Sequence, residues 1–397
     1  MKVGIAKEIG PGERRVAVTP DSVRQITAAG YDVLVEAGAG GGAYIPDAKF
    51  QEAGASLVTS TADFWSRSEI VLKIQPPIQN RSLNLHEADL LGEGSTLICM
   101  LRPLSHIDTV RMLAKRRVLS FSMDMMPRTT RAQRMDALSS MSTIAGYKAV
   151  LIAGDTLPRL FPMLVTAAGT IAPSRVLVVG AGVAGLQAIA TARRLGAVVE
   201  AYDVRPAVKE EVESLGATFV GPKLDPGEAQ DEQGYAKPLS AEAQRKGVEL
   251  LGERIPHADV IITTARVPGM PAPRLITADQ VAAMKPGSVV VDLAADMGGN
   301  CELTEPGETV VRHDVTIHGP VRLASTVPVH ATQMYSRNIT TFLLHLTKDG
   351  KLHPDWSDDI ASATCVTRDG QIVHPATRAR AEGLAPAASG SQARSQG

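Results

Sequence analysis

The stretch Arg175-Val-Leu-Val-Val-Gly-Ala-Gly-Val-Ala-Gly-Leu-Gln-Ala-Ile-Ala190 decides how this chain is read. Residues 175–179 form a short apolar run of the kind a parallel sheet buries on both faces. Gly180, Gly182 and Gly185 follow with G-x-G-x-x-G spacing, and Val183 opens an apolar helix that Gly196 ends. Each glycine has its own task. Gly180 permits a tight turn, Gly182 lets a pyrophosphate approach the backbone, and Gly185 lets the helix pack closely on the strand. The helix N-terminus offers unpaired N–H groups and the positive end of a dipole to phosphates. A second strand, 198–202, leads to Asp203. Its carboxylate suits the 2′-hydroxyl of an adenine ribose and opposes a 2′-phosphate. The pattern predicts a Rossmann unit that takes NAD(H) in preference to NADP(H). Arg205 qualifies the preference, because a guanidinium turned inward could accept a phosphate.

A chain of 397 residues is too long for one compact domain and predicts two. Hydrophobic residues at 44% suffice for full cores, and Ala, Gly and Val dominate as in α/β folds. A net charge of −1 points to neither nucleic acid nor an anionic membrane surface. Cys99, Cys301 and Cys365 form no C-x-x-C pair, so neither a disulfide framework nor a metal site is expected, and a reducing compartment fits. The N-terminus reads as a strand followed by charge rather than as a signal peptide. No apolar run approaches the roughly 20 residues of a membrane helix.

Before residue 135 the pattern alternates strands and helices. Strands are predicted at 2–6, 31–36, 56–58, 70–74, 96–100 and 118–120, and helices at 20–29, 47–53, from 62, and at 107–115. This predicts a second parallel α/β unit. Gly38-Ala-Gly-Gly-Gly42 imitates a dinucleotide loop, but no long apolar helix follows, so it reads as a plain loop. A helix over 135–153, with an apolar stripe through Leu138, Met141, Ala145, Ala149 and Ile152, links the two units. Further strands are predicted at 218–220, 258–263, 288–292 and 315–317, and a helix near 327–346 that returns to the first domain. Residues 221–237 are rich in Pro, Gly and acidic groups and predict a mobile surface loop. The tail, 381–397, is expected to be disordered.

Three polar constellations stand out. Asp136, Ser139, Ser140 and Thr143 share one helical face, downstream of the polar run that begins at Arg128. Spacing alone leaves open whether that face holds a nicotinamide or is merely solvated. Ala265 and Arg266 follow the apolar strand 258–263, at the strand end where open α/β sheets bind ligands. Asp292, at the end of the next strand, reads as a structural carboxylate. The nine histidines form no cluster, and none is assigned acid–base work.

Several blocks resemble the alanine dehydrogenase and transhydrogenase superfamily: Glu13-Arg-Arg-Val-Ala-Val-Thr-Pro20, Val35-Glu-Ala-Gly-Ala-Gly40, the glycine fingerprint, and Met284-Lys-Pro-Gly-Ser-Val-Val-Val-Asp-Leu-Ala294. Others are similar to the NAD(H)-binding component of proton-translocating transhydrogenases. These are Met126 to Ser140, Met163-Leu-Val-Thr-Ala-Ala-Gly-Thr170, Gly234-Tyr-Ala-Lys237 and Thr364-Cys-Val-Thr-Arg-Asp-Gly370. The resemblance implies that Arg128, Gln133, Asp136 and Ser139 surround the nicotinamide end, with Gln133 reaching toward the partner's nucleotide. It implies that Gly234 and Tyr235 belong to a loop that folds over NAD(H). It places Gly180, Gly182, Val183, Gly185, Asp203 and Arg205 at the adenosine and pyrophosphate. In alanine dehydrogenases a lysine and a histidine bind the keto acid and assist proton transfer; the matching positions here hold Gln75 and Arg102. An amide cannot shuttle a proton, and an arginine is always protonated. Amino-acid oxidation needs general-base help, whereas hydride transfer between two nicotinamides needs closeness and orientation.

The expectation is therefore two parallel-sheet Rossmann-like domains separated by a cleft. One spans 1–135 and is completed by 323–380; the other spans 136–322 and binds NAD(H). No metal is expected. NADP(H) would sit on a partner subunit, a separate membrane-spanning subunit would move protons, and the chain itself would be a homodimer. It would lie in the cytoplasm, peripheral to the inner face of the cell membrane. An alanine-type amino-acid dehydrogenase and a non-catalytic NAD(H) sensor are the alternatives.

Overall fold

The structure, a computed structural model, describes residues 1–222, 241–266 and 270–383. The chain divides into two units, one built from residues 1–138 and the segment from Pro328 onward, the other from Ser139–Val327. The crossings fall at the start of a helix each time, in Ala137–Thr156 and at Pro328–His345.

In the first unit the strands lie in the order Gln371–Ile372, Cys365–Arg368, Leu119–Ser122, Thr96–Cys99, Ile70–Leu72, Lys2–Ile5, Asp32–Glu36, Ser56–Val58. Pairs from Leu119–Ser122 across to Ser56–Val58 are parallel. Cys365–Arg368 and Gln371–Ile372 add an antiparallel edge that the βα reading did not include. Short β-branched and apolar runs such as Ile70-Val-Leu72 are buried throughout, as strands covered on both faces must be. Helix Pro20–Ala28 has proline at its start, where the missing N–H costs nothing, and Gly30 beyond its end takes φ +92°.

The second unit orders its strands Thr218–Val220, Val198–Tyr202, Arg175–Val179, Val260–Thr263, Val289–Asp292, Val315–His318, Thr309–Arg312. All pairs are parallel except the last, a strand the sequence reading also lacked. Alternate residues of Arg175–Val179 feed two cores. Val176 and Val178 pack with Ile189, Val199, Ala149 and Val150, and Leu177 and Val179 with Ile261, Val290, Leu251 and Ile255. The strand Arg175–Val179 pairs with Val198–Tyr202 on one side and Val260–Thr263 on the other. Winding reverses there, so the turn after Val179 sits at the sheet's topological switch point, where such folds bind nucleotides. Strand Lys2–Ile5, between Asp32–Glu36 and Ile70–Leu72, holds the same position in the first unit.

The linking helix starts at Ala137 and runs to Thr156, later at both ends than the sequence suggested. A 3₁₀ turn, Gln133–Met135, precedes it, and Pro158 disfavours helical geometry at Leu157. Gly146 lets this helix approach the glycine-loop helix, since a Cβ there would lie 2.1 Å from the Ala184 carbonyl oxygen. Leu164–Thr166 and Gly169–Ile171 form an exposed antiparallel hairpin. The segment expected to be a disordered tail opens inside the described helix Pro375–Ala381; residues 384–397 lie outside the described residues. So does most of the predicted lid loop, Gly234 and Tyr235 included.

Gly185 sets the distance between helix and strand, because a Cβ there would lie 1.8 Å from the Gly180 carbonyl oxygen. Gly185→Ala is expected to lower stability by about 1–3 kcal/mol through overpacking, read by denaturant unfolding. An unchanged unfolding midpoint would contradict this packing account.

Candidate nucleotide-binding site

Gly180 leaves strand Arg175–Val179 with φ +100°, a backbone setting that side chains strain to adopt. Its N–H donates to the Tyr202 carbonyl (2.7 Å), and its own carbonyl accepts from Thr264 Oγ1 (2.9 Å). Gly182 then caps helix Val183–Arg194. The first N–H groups of that helix have no intrahelical acceptor. A Cβ built on Gly182 would meet no atom within 4 Å. Packing thus requires glycine at 185, while at 182 the protein leaves room beside a helix N-terminus. That room fits a pyrophosphate.

Asp203 closes the loop from the neighbouring strand. Its Oδ2 accepts from the Ala181 N–H at 2.7 Å, which ties the glycine turn to the end of Val198–Tyr202. Arg205 is turned onto the same carboxylate. Its backbone N–H and Nε donate to Oδ1, each at 2.9 Å, and its guanidinium reaches Oδ2 at 2.8 Å. Asp203 is therefore presented as an ion pair with only 6% exposure. Any hydroxyl donor reaching this carboxylate would have to compete with that guanidinium.

Beyond strand Val260–Thr263, Thr264 donates its N–H to Val179 and its hydroxyl to Gly180. Ala265 is gripped on both backbone groups by Asn300, whose Oδ1 accepts its N–H (3.0 Å) and whose Nδ2 donates to its carbonyl (2.9 Å). Arg266 donates to the Leu293 carbonyl and pairs with Asp296 at 2.7 Å. Asp292 is fully buried and structural, as read. It accepts from the hydroxyls of Thr263 and Thr304 and from the N–H groups of Ala294, Asn300 and Cys301. Asn300 escaped the sequence reading. Its signal was the Gly298-Gly299 pair before it, both with positive φ, which folds the chain back to the strand end.

The first unit's switch point is filled by its own side chains. Lys73, 1% exposed, lies between Glu8 (3.4 Å) and Glu87 (3.1 Å). Burial alone would pull the Lys73 pKa down, but the two carboxylates outweigh it and hold the amine above the ordinary lysine range. Glu8 also accepts from the N–H groups of Ile74 and Gln75. Gln75 joins two charged groups, donating to Glu13 at 2.7 Å and accepting from Arg102 at 2.9 Å. Glu13 holds Arg15 with two side-chain hydrogen bonds, both groups buried. Burial pushes the Glu13 carboxyl up, yet the hydrogen bonds and charge of Arg15, with the Gln75 amide, bring it to about 2. Arg15 is therefore structural here.

Arg128 and Gln133 are exposed and Asp136 and Ser139 half-buried. Asp136 precedes the helix on which Ser139, Ser140 and Thr143 lie, and Thr143 donates back to the Ser139 carbonyl. Arg128, Gln133 and Asp136 belong to the first unit and Ser139 to the second. Among the described residues no cluster of His, Cys, Asp or Glu could hold a metal, and no helix is long and apolar enough to cross a membrane. The three cysteines are free and buried.

Comparison with known proteins agrees with this architecture. The family descriptions "Alanine dehydrogenase/PNT, N-terminal domain" and "C-terminal domain" match residues 4–145 and 149–375. The first of the separate pieces of the NAD(P) transhydrogenase alpha subunit of Rhodospirillum rubrum is 47% identical over 379 residues, covering 95% of this chain and 98% of that one. A crystal structure of transhydrogenase from Sinorhizobium meliloti superposes with a TM-score of 0.80 at 40% identity, over 95% of this chain and all of that chain. An alanine dehydrogenase of Halomonas elongata is 33% identical over 97% of both chains. The chain belongs to the alanine dehydrogenase/PNT family and is an oxidoreductase of the NAD(P) transhydrogenase kind.

Gly182→Ala is expected to leave the unfolding midpoint unchanged and to weaken NADH binding at least tenfold, by calorimetry. Equal loss of stability and binding would contradict the open-cradle account. Glu13 makes a second expectation. Its folded pKa of about 2 lies below the ordinary 4.5, so its stabilising contribution is present above pH 4.5 and disappears as pH falls toward 2. Gln75→Leu removes one hydrogen bond that lowers the pKa, so the stability lost between pH 5 and pH 3 should shrink. An unaltered pH profile would remove Gln75 from the network.

Proposed function

We propose that this chain is the NAD(H)-binding component of a proton-translocating NAD(P)⁺ transhydrogenase, passing hydride between NADH held here and NADP⁺ held on a partner subunit. The observation that carries this reading is the contrast between the two switch points. The second unit keeps an open glycine cradle, while the first is filled by Arg102, Gln75, Glu13 and Arg15. The neutral amide of Gln75 stands where the dehydrogenase branch has a lysine. A bound nicotinamide supplies or accepts the hydride. The chain's own residues bind and orient it: Gly180, Gly182, Val183 and Gly185 at the pyrophosphate, Asp203 and Arg205 at the adenosine, Ala265 and Arg266 beyond the next strand. Arg128, Gln133, Asp136, Ser139 and Tyr235 act at the transfer end. No proton has to move on this chain, so orientation is the whole of its catalytic task.

The same reading makes the chain a homodimer that sits at the inner face of the cell membrane through a separate membrane-spanning subunit. The name of the R. rubrum relative describes one piece of a subunit, and so a member of a larger assembly.

Mixing the chain with an NADP(H)-binding transhydrogenase subunit should give hydride transfer from NADH, while alanine or pyruvate should give no turnover. The reverse result would move the chain to the alanine dehydrogenase branch; NADH binding with neither activity would make it a sensor. NADH should bind more tightly than NADPH by calorimetry, and Asp203→Ala should narrow the difference. Gln133→Asn should slow transfer by roughly 10²-fold with NADH binding nearly intact, since a positioning group moves by about an ångström. A parallel fall in binding would make Gln133 a plain contact.

A further inference from the structure

Gln133 is exposed, yet the residues on both sides of it are clamped. The side chain of Arg131 donates to Asp358, and Asp358 bonds His345 Nε2 at 2.7 Å. On the other side the Arg134 carbonyl accepts from Asn338 Nδ2 at 2.9 Å. His345 and Asn338 lie on one helix, Pro328–His345, two turns apart and about 10 Å along its axis. Asn338 is only 7% exposed, and its Oδ1 accepts no hydrogen bond among the described residues. The amide orientation is fixed by the Arg134 carbonyl, which needs a donor. A buried polar atom without a partner costs roughly 1–3 kcal/mol. Leucine in its place would remove that orphaned oxygen but leave the Arg134 carbonyl without its donor, so what the asparagine supplies here is its hold on the turn.

We infer that Asn338 is a positioning residue for hydride transfer: it holds the Gln133–Met135 turn against helix Pro328–His345 so that the Gln133 side chain is presented in one orientation. This rests on the transfer role proposed for Gln133. The helix is a suitable base. Its Thr332, Tyr335 and Ser336 side chains bond the Val16 N–H, the Lys73 carbonyl and the Thr19 N–H, so the turn is fixed to the same body that carries the Gln75 network.

The test compares wild type with Asn338→Leu and Asn338→Asp. Amide hydrogen exchange over residues 132–136 should speed up at least tenfold in both. Asn338→Leu should shift the unfolding midpoint little, because the orphaned oxygen goes together with the donor to the Arg134 carbonyl. NADH affinity should stay within twofold, while transfer to NADP⁺ on the partner subunit falls about tenfold in Asn338→Leu and further in Asn338→Asp, whose carboxylate faces the Arg134 carbonyl. Unchanged exchange would overturn the inference, and so would transfer at the wild-type rate despite faster exchange. A joint fall of midpoint, affinity and rate in Asn338→Leu would also overturn it by making the residue merely structural. A wild-type chain that binds NADH and transfers nothing would defeat the functional reading instead, and the exchange measurement would still decide whether Asn338 holds the turn.

Discussion

One buried helix, Pro328–His345, holds the first unit together through hydrogen bonds rather than apolar contact alone. Four of its inward polar side chains meet backbone groups on three other segments: Thr332 the Val16 N–H, Ser336 the Thr19 N–H, Tyr335 the Lys73 carbonyl, Asn338 the Arg134 carbonyl. Those segments are loops and a single 3₁₀ turn, and backbone buried there must find partners or lose roughly the desolvation cost of each group. The helix supplies the partners. Ala331, Ile339, Phe342 and Leu343 on the same helix are wholly buried, so the bonds form in a dry, rigid setting.

The two units share a parallel winding plan and use its reversal point in opposite ways. In the second, glycine removes side chains from the turn, and Asp203, the carboxylate beside it, is engaged by Arg205 and Ala181. In the first, Lys73, Glu8 and Glu87 and the Glu13–Arg15 pair are built into the interior. Buried ion pairs rarely repay their desolvation compared with apolar side chains of equal volume. What they supply here is fixed geometry: Glu8 receives two successive N–H groups, Ile74 and Gln75, and so sets the path of the chain into the network.

The parallel strands and the tasks of Gly180 and Gly185 were legible because short apolar runs and glycine spacing are local signals. Residues 56–58 and 107–115 were read to the same bounds that the structure gives. Cys365–Arg368 and Thr309–Arg312 were not: the first joins Leu119–Ser122 from far away in sequence, the second is the outer arm of a hairpin with Val315–His318, and neither has a crossover helix to announce it. Arg205 was legible as a neighbour of Asp203 but not as its ion-pair partner, which depends on side-chain direction. Asn300 and Asn338 act on backbone atoms remote in sequence, Ala265 and Arg134, and an asparagine carries no periodicity. Their role could be seen only once the chain was folded.

The interrupted first unit also fixes an order of assembly. The second unit is one continuous run, Ser139–Val327, and every strand of its sheet is available once that run has been made. The first cannot close until helix Pro328–His345 and strand Cys365–Arg368 have emerged. Domains fold as units while synthesis proceeds from the N-terminus. During translation the nucleotide cradle is therefore completed first, and the earlier-made 1–138 segment waits, with Leu119–Ser122 an open sheet edge, for the closing stretch of its own domain.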